Sequence, residues 1–194
     1  MEVKDSRVLS APIPSTRLQD VQVPVPHPEL FNAARQGDIE EVKRILSCNV
    51  DINKGELTPL YIAAENGHTE IVKLLLDAGA KVDETTLYCV AQFGNTELLA
   101  LLLEAGADVN GEKDYDSPLY VAGRYGNTET VKLLLKAGAN VNKTGFLGAT
   151  PLFVAYHRDH LEVVDILLEA GADKNILYNI GKNLQRYLTF HLDP

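Results

Sequence analysis

One apolar pair, a leucine followed by an aromatic residue, recurs at near-regular spacing in five places between residues 30 and 153 of this 194-residue chain. The pairs are Leu30-Phe31, Leu60-Tyr61, Leu87-Tyr88, Leu119-Tyr120 and Leu152-Phe153. Their leucines lie 30, 27, 32 and 33 residues apart. Spacing in this range indicates a repeat of two short helices, and one such unit cannot bury its apolar face alone. The pattern therefore predicts a stack of similar units, in which each unit covers the apolar face of the next.

Helix start and stop signals divide each repeat in the same way. A hydroxyl residue precedes a proline at Thr58, Ser117 and Thr150, which predicts an N-cap followed by the first helical position. Glycines then end the first helix of the earlier repeats, and residues that follow them start the second: Asp38, His68, Asn95, Asn127 and His160. Asp and Asn are good caps in this position, whereas histidine is a weaker one. The second helices carry leucine, isoleucine and valine at helical spacing, so each has one apolar stripe.

With these signals the sequence resembles the ankyrin-repeat family, whose pattern runs roughly G-x-TPLH-x-AA-x-x-GH-x-x-VV-x-LLL-x-x-GADVN. The likeness is carried by TPLYIAAENGHTEIVKLLLDAGAKVD, from Thr58 to Asp83, and by its later copies. The resemblance implies an all-α solenoid of stacked helix pairs with β-hairpin fingers, some of them truncated. It covers residues 28–175, and the implied units, called units one to five below, are 28–53, 54–83, 84–110, 111–142 and 143–175.

Both flanks of the repeats depart from the pattern. Residues 1–27 contain Val21-Gln22-Val23-Pro24-Val25-Pro26, and proline fixes its own φ and restricts the residue before it. This composition predicts an extended or disordered arm, and a role in docking along the stack stays open. Residues 176–194 predict a C-terminal capping helix, because one amphipathic face holds Ile180, Leu184, Tyr187, Leu188 and His191.

Three departures inside the repeats change what the resemblance implies. The family's TPLH histidine is Tyr or Phe in every unit, so its hydrogen bonding must be absent or replaced, for example by ring packing. Asp159 stands where other units have a glycine, which together with Tyr156 predicts a distorted last repeat. Leu87 comes only four positions after Asp83, so the finger at Glu84 is too short for a hairpin.

Charge and composition restrict the classes of partner. The formal charge is −9, and an acidic chain repels phosphate backbones, so we expect no nucleic-acid partner. The sequence contains no stretch that approaches a membrane span and no apolar secretory signal, so we expect an intracellular protein. The cytoplasm is the favoured compartment, and the nucleus and delivery into a host cell stay open as alternatives. Cys48 and Cys89 are expected to be small, buried core residues in a reducing compartment.

No set of residues in the sequence has the spacing of a catalytic, metal or cofactor site. His157 and His160 lie three apart, but no further His or Cys is near, and His160 occupies the family's Gly-His position. We therefore predict a protein that is not an enzyme and that uses no cofactor. An enzyme is the least favoured of the alternatives because no convergent titratable set is present.

What remains is a binding surface. In the family, a concave groove is lined by the fingers and by the two residues before the inter-helix glycine, and units three to five place aromatic residues beside arginines there. Such residues dominate binding hot spots. The predicted protein-binding residues are Gln92, Phe93, Tyr115, Asp116, Arg124, Tyr125, Phe146, Leu147, His157 and Arg158.

We expect a non-catalytic interaction module that binds another protein, chiefly through units three to five. Two alternatives share the fold. One is an inhibitor or scaffold that blocks or positions an enzyme, and the other is a self-assembling structural protein that uses its N-terminal arm. The aromatic residues also have an alternative role, since they can pack on neighbouring fingers and stabilise the stack.

Overall fold

A computed structural model describes residues 28–48, 50–55, 57–111, 116–145 and 148–174. The predicted N-terminal arm and C-terminal capping helix lie outside these residues. Within the described ranges the chain forms ten helices: α1 (Pro28–Gln36), α2 (Ile39–Leu46), α3 (Pro59–Glu65), α4 (Thr69–Asp77), α5 (Glu84–Phe93), α6 (Thr96–Glu104), α7 (Pro118–Tyr125), α8 (Thr128–Lys136), α9 (Pro151–His157) and α10 (Leu161–Glu169).

The helices form two layers. The odd-numbered helices stack in the order α1, α3, α5, α7, α9, the even-numbered helices stack in parallel order, and each odd helix packs on the even helix that follows it. The main core lies between the layers, where Leu60, Leu75, Leu98, Leu119 and Leu167 are almost fully buried. The predicted all-α repeat solenoid is confirmed. No β-strand occurs among the described residues, and residues 112–115 and 146–147, where the longer fingers were expected, lie outside them.

Side-chain caps fix most of the helix starts as the sequence predicts. The Thr58, Ser117 and Thr150 hydroxyls each accept a hydrogen bond from the third residue after them, at 3.1–3.2 Å. Asn95 caps α6 in the same manner, while neither histidine makes a side-chain cap bond. The prediction for Asn127 was wrong, because its side chain is directed to the preceding unit and makes no cap bond.

The first helix of unit three directly follows unit two, where the finger is missing. The Asp83 carboxylate accepts hydrogen bonds from the Thr86 N–H and the Thr85 and Thr86 hydroxyls, each at 2.7 Å. Helix α5 therefore begins at Glu84, immediately after its cap, and no loop projects between units two and three. This agrees with the predicted absence of a hairpin at Glu84.

The last unit keeps its helix pair in spite of its two unusual residues. Asp159 adopts φ +59° and is the single non-glycine residue with positive φ in the described part of the chain. Short polar side chains tolerate this left-handed region best. Helix α9 runs from Pro151 to His157 and α10 begins at Leu161, so the expected distortion of the repeat is not found.

The two cysteines differ in environment. Cys89 on α5 is buried at 4% exposure, as predicted. The prediction for Cys48 was wrong, since this residue is exposed. It lies two residues beyond Leu46, the last residue of α2, and its Sγ turns back to donate to the Arg44 carbonyl at 3.5 Å. A side chain at this helix end points along the helix and does not enter the core.

Candidate protein-interaction surface on the first helix layer

The two residues before each inter-helix turn lie at the C-terminal ends of the odd helices. Because these helices stack side by side, their ends form a row along one edge of the first layer. We call this row the ridge. Its members are Arg35-Gln36, Glu65-Asn66, Gln92-Phe93, Arg124-Tyr125 and His157-Arg158.

Hydrogen bonds from the following unit hold the backbone of the ridge in three places. Asn127 Nδ2 donates to the carbonyls of Ala91 and Gln92, both at 2.8 Å. The ring of His160 lies 3.2 Å from the Arg124 carbonyl, and His68 makes the same contact with Arg35. A carbonyl only accepts, so each imidazole presents its Nε2–H. These hydrogen bonds between units therefore fix the position of the ridge backbone.

Two aromatic residues of the ridge are exposed large hydrophobic groups. Phe93 is 61% exposed and Tyr125 39% exposed, which with Leu161 on α10 makes them the exposed large hydrophobic residues of the described chain. Gln92, Arg124 and the neighbouring Asp116 are half-buried, while His157 and Arg158 are exposed. The ring of His157 stacks on Phe153, with centroids 5.9 Å apart and planes inclined by 10°. The predicted residues Tyr115, Phe146 and Leu147 lie outside the described residues.

Beneath the ridge of units three to five lies a second, smaller apolar cluster that the sequence analysis missed. Tyr120, only 3% exposed, packs there with Ala91, Val121 and Val154, and Tyr88 packs against their edge. We call Tyr88 and Tyr120 the aromatic floor. The signal for it was present in the sequence, since both belong to the repeated Leu-Tyr pairs whose rings were expected to replace the family's histidine.

Charged residues surround the aromatic floor. Burial raises the pKa of Tyr88 to about 12, and Tyr125 and Asp116 act in the same direction while Arg124 opposes them. Burial also raises the pKa of Tyr120, again supported by Asp116 and opposed by Arg124. Both phenols therefore stay protonated at neutral pH. The buried Tyr88 hydroxyl lies near Tyr125 without meeting hydrogen-bond geometry.

The loop between α8 and α9 covers the floor from one side. A Cβ atom on Gly145 would lie 2.6 Å from both the Asp116 carboxylate and the Tyr120 ring, so the loop backbone is in close contact with them. The Gly145 N–H donates to the Ala149 carbonyl at 2.8 Å, and Lys143 Nζ donates to the Gly111 carbonyl at 2.7 Å. Units four and five thus hold the floor in a fixed position.

The ridge is polar in unit two. Glu65 accepts a hydrogen bond from the Tyr61 hydroxyl at 3.1 Å, and Asn66 donates back to the Ile62 carbonyl at 2.8 Å. Both side chains are engaged with their own helix. The aromatic and apolar character of the ridge is therefore confined to units three and four.

The described residues contain no group of three or more His, Cys, Asp and Glu side chains placed to hold a metal ion. His157 and His160, which the sequence analysis did not favour as a metal pair, make different contacts: the His160 ring bonds to the Arg124 carbonyl and the His157 ring stacks on Phe153. In the same part of the chain, no helix combines the length and apolar character needed to cross a membrane.

Comparison with known proteins supports the repeat assignment. A family model described as ankyrin repeats (3 copies) matches residues 30–113 and residues 87–177. The E3 ubiquitin-protein ligase XBAT33 of Arabidopsis thaliana is 48% identical over 59 residues, 28% of this chain and 12% of the ligase. The ankyrin repeat-containing protein YIL001W of Saccharomyces cerevisiae is 41% identical over 58 residues, 28% of this chain and 11% of that protein.

A third relative, the human histone-lysine N-methyltransferase EHMT1, is 38% identical over 63 residues, 29% of this chain and 5% of the enzyme. The matched segments thus span 12% or less of these relatives' own lengths. The relatives named as enzymes match in the repeat region alone. Since the family model covers well over half of the sequence, the chain belongs to the ankyrin-repeat family.

Proposed function

We propose that this chain is a non-catalytic module that binds a partner protein through the ridge and aromatic floor of units three to five. Ankyrin repeats generally mediate protein–protein interaction. The observation that carries the location is the exposure of Phe93 and Tyr125, at 61% and 39%, at equivalent positions of adjacent units. We also propose residues 28–175 as the bounds of the repeat domain.

Large exposed rings next to arginine are costly to leave in water and rewarding to bury. An aromatic side chain buries about 150–250 Å² at a contact. At about 25 cal/mol per Å² of apolar surface, two rings supply several kcal/mol of favourable free energy. Tyr and Arg are also enriched among the residues that dominate binding. Phe93, Tyr125, Arg124 and Arg158 have this composition.

The fixed backbone of the ridge favours binding further. Association loses free energy when loops and side chains must be ordered, and a preformed surface avoids part of that loss. The bonds from Asn127 to Gln92 and from His160 to Arg124 hold this part of the ridge before any partner arrives.

The same surface serves an inhibitor or scaffold that blocks or positions an enzyme, so the class of partner is a matter for experiment. A free, buried thiol at Cys89 suits the reducing cytoplasm, which we propose as the compartment. Self-assembly through residues 1–27 is the second candidate, and it is a prediction from the sequence alone.

Affinity capture from a matched lysate tests the proposal. The intact chain is compared with the double variant Phe93→Ala/Tyr125→Ala and with Arg35→Ala/Gln36→Ala, a matched pair on the ridge of unit one. We expect proteins that the intact chain and the unit-one variant retain but the aromatic variant loses. Loss with the unit-one variant and retention with the aromatic variant would place the binding surface elsewhere. Thermal melts of all three proteins check that each is folded.

A further inference from the structure

We propose that Asn110 is a site of self-modification, at which the Gly111 backbone nitrogen attacks the Asn110 side chain once the junction between units three and four opens. One of the two products, isoaspartate, then prevents this junction from closing as before. The inference goes beyond the proposed function and does not depend on it.

The sequence contains two Asn-Gly steps, Asn66-Gly67 and Asn110-Gly111. Glycine has no Cβ, so its backbone nitrogen can approach the preceding side-chain amide without steric hindrance. The two asparagines bond differently. Asn66 bonds within its own helix, from Nδ2 to the Ile62 carbonyl at 2.8 Å, whereas Asn110 bonds to the following unit. The reactivity of Asn110 is therefore coupled to a contact between units.

Two other asparagines occupy the place of Asn110 in their own units. The Asn53 side chain accepts the Lys81 N–H at 2.7 Å, and the Asn142 side chain accepts the Asp173 N–H at 2.8 Å. Both precede a lysine, whose Cβ hinders attack by the backbone nitrogen. Of these three asparagines, Asn110 alone combines the bond between units with a following glycine.

In the closed stack, hydrogen bonds engage the reacting groups at Asn110. Its Oδ1 accepts the Asn140 N–H at 2.7 Å, and the Gly111 N–H donates to the Asp108 carbonyl at 2.8 Å. Lys143 Nζ donates to the carbonyls of both Asn110 and Gly111, each at 2.7 Å. Attack requires the Asn110 amide to turn towards the Gly111 nitrogen, so it must wait until Asn140 and Lys143 move away. Such local opening precedes global unfolding in folded proteins.

The reaction consumes only water. The Gly111 nitrogen forms a bond to Asn110 Cγ, the bond from Cγ to Nδ2 breaks, and ammonia leaves with the proton that the nitrogen loses. Water then cleaves one of the two bonds between nitrogen and carbonyl carbon in the resulting five-membered imide. Cleavage at Cγ gives aspartate, and cleavage at the backbone carbonyl carbon gives isoaspartate. No atom is oxidised or reduced in either step.

The two products affect the junction differently. Aspartate keeps a side-chain oxygen at the place where Asn110 Oδ1 accepts the Asn140 N–H. Isoaspartate carries its carboxylate on Cα, and its main chain passes through Cβ and Cγ, which adds one methylene to the backbone. The added methylene displaces the Gly111 carbonyl from Lys143 and the acceptor from Asn140, so neither contact keeps its geometry. Isoaspartate therefore weakens the junction permanently.

Incubation of the folded chain in water labelled with oxygen-18 tests the inference. Peptide mapping by mass spectrometry follows the label, which enters when water opens the imide. We expect uptake at Asn110 and none at Asn53 or Asn142. Asn127→Ala, which deletes two hydrogen bonds from unit four to unit three, should speed uptake at Asn110 about tenfold. The cap variant Asn95→Ala should leave the rate within about twofold, because it deletes no bond between units.

The other Asn-Gly step reports global unfolding in the same molecule. Unfolding exposes Asn66 and Asn110 alike, whereas opening between units three and four exposes Asn110 alone. Lys143→Met is a second variant, which deletes the two bonds to the Asn110 and Gly111 carbonyls and should also speed uptake at Asn110 without changing it at Asn66. Unchanged uptake at Asn110 in this variant, or uptake at Asn142 equal to that at Asn110 in the intact chain, would overturn the inference.

Hydrogen exchange measures the consequence for the junction. The isoaspartate form is separated from aged protein by ion-exchange chromatography, and enzymatic methylation of isoaspartate identifies it. We expect amide hydrogens of α7 and α8 to exchange at least about tenfold faster in this form than in the intact chain. Asn110→Asp adds the same charge without the methylene and should exchange like the intact chain. Equal exchange in the isoaspartate form and Asn110→Asp would show that the modification does not act on the junction.

Discussion

The junction between units four and five and the junction between units two and three are built differently. At the first, His160 bonds to the Arg124 carbonyl, and the Asp173 N–H donates to Asn142 Oδ1 at 2.8 Å. At the second, the described residues form neither bond. Its polar contacts are the hydrogen bonds from Thr85 and Thr86 to the Asp83 carboxylate at the start of α5 and the exposed ion pair between Lys73 and Glu97, 3.7 Å apart. Apolar packing of α3 on α5 and of α4 on α6 provides the rest.

The difference arises from how equivalent residues use their side chains. Asn95 caps its own helix through the Leu98 N–H, whereas Asn127 leaves its helix uncapped and bonds to unit three. Asp83 caps α5, whereas Asn110 accepts the Asn140 N–H of the following unit at 2.7 Å. A side chain that caps its own helix does not also bond to the neighbouring unit. Asn95 and Asp83 therefore stabilise the starts of α6 and α5, and the junction between units two and three lacks the corresponding bonds.

In a solenoid, stability is approximately the sum of the units and their nearest-neighbour contacts. We therefore expect opening to begin between units two and three, leaving units three to five together. The ridge aromatics and their floor belong to the better-linked side, which suits a surface that must keep its shape.

The largest expected effect comes from removing the floor. Tyr120→Ala deletes a ring that is 3% exposed, and changes of this type cost about 3–5 kcal/mol. Units three to five should then be no more stable against unfolding than units one and two. Urea denaturation with hydrogen exchange of α7 and α9 measures this. Tyr61→Ala, at a half-exposed ring in unit two, is the control, and an equal loss in both variants would contradict the special role of the floor.

A smaller effect is expected when the link between units three and four is removed. Asn127→Ala deletes two hydrogen bonds to backbone carbonyls, each contributing about 1 kcal/mol. In this variant, the backbone amide hydrogens of unit three and those of unit four should exchange with solvent at independent rates. Asn95→Ala, which removes only a cap worth about 1 kcal/mol, should lower stability without uncoupling any units. Uncoupling in Asn95→Ala would show that the cap itself carries the junction.

The smallest change in the free energy of unfolding is expected when a hydrogen bond is introduced between units two and three. Asn95→His places an imidazole over Gly67, where no neighbour lies within 4 Å, and brings its ring towards the Glu65 carbonyl. The gain from the new bond and the loss of the cap each amount to about 1 kcal/mol, so the net change is small. Cooperativity between units two and three should nevertheless increase, seen as one sharper denaturation transition. A broader transition would refute the role assigned to His68 and His160.

Local sequence signals were sufficient for the architecture. The period of the Leu-aromatic pairs predicts the helix pairs, and the short spacing of four positions from Asp83 to Leu87 predicts the missing finger. These features depend on neighbours in the chain, such as a proline after a capping hydroxyl. Asp159 in the left-handed region belongs to the same class, since its place in the repeat defines its backbone conformation.

Side-chain contacts between units could not be predicted from the sequence. Asn95 and Asn127 stand in identical Gly-Asn-Thr contexts, yet one caps and the other reaches across, because the choice depends on where the preceding unit's carbonyls lie. The same limit explains why the burial of Tyr120 was not predicted. The positions of Phe93, Tyr125 and Arg158 on one edge follow from the repeat, but their function as a binding surface stays a prediction.

The burial of Cys89 makes the weakest junction chemically observable. Its thiol lies on α5, close to Glu65 of α3, and burial raises its pKa to about 12. The thiolate is the nucleophile that attacks an alkylating reagent, so Cys89 reacts only after α3 and α5 separate. Cys48 is exposed and serves as the reference thiol in the same molecule. The ratio of the Cys89 labelling rate to the Cys48 labelling rate therefore reports how often units two and three separate. Mass spectrometry measures both rates in the unsubstituted protein.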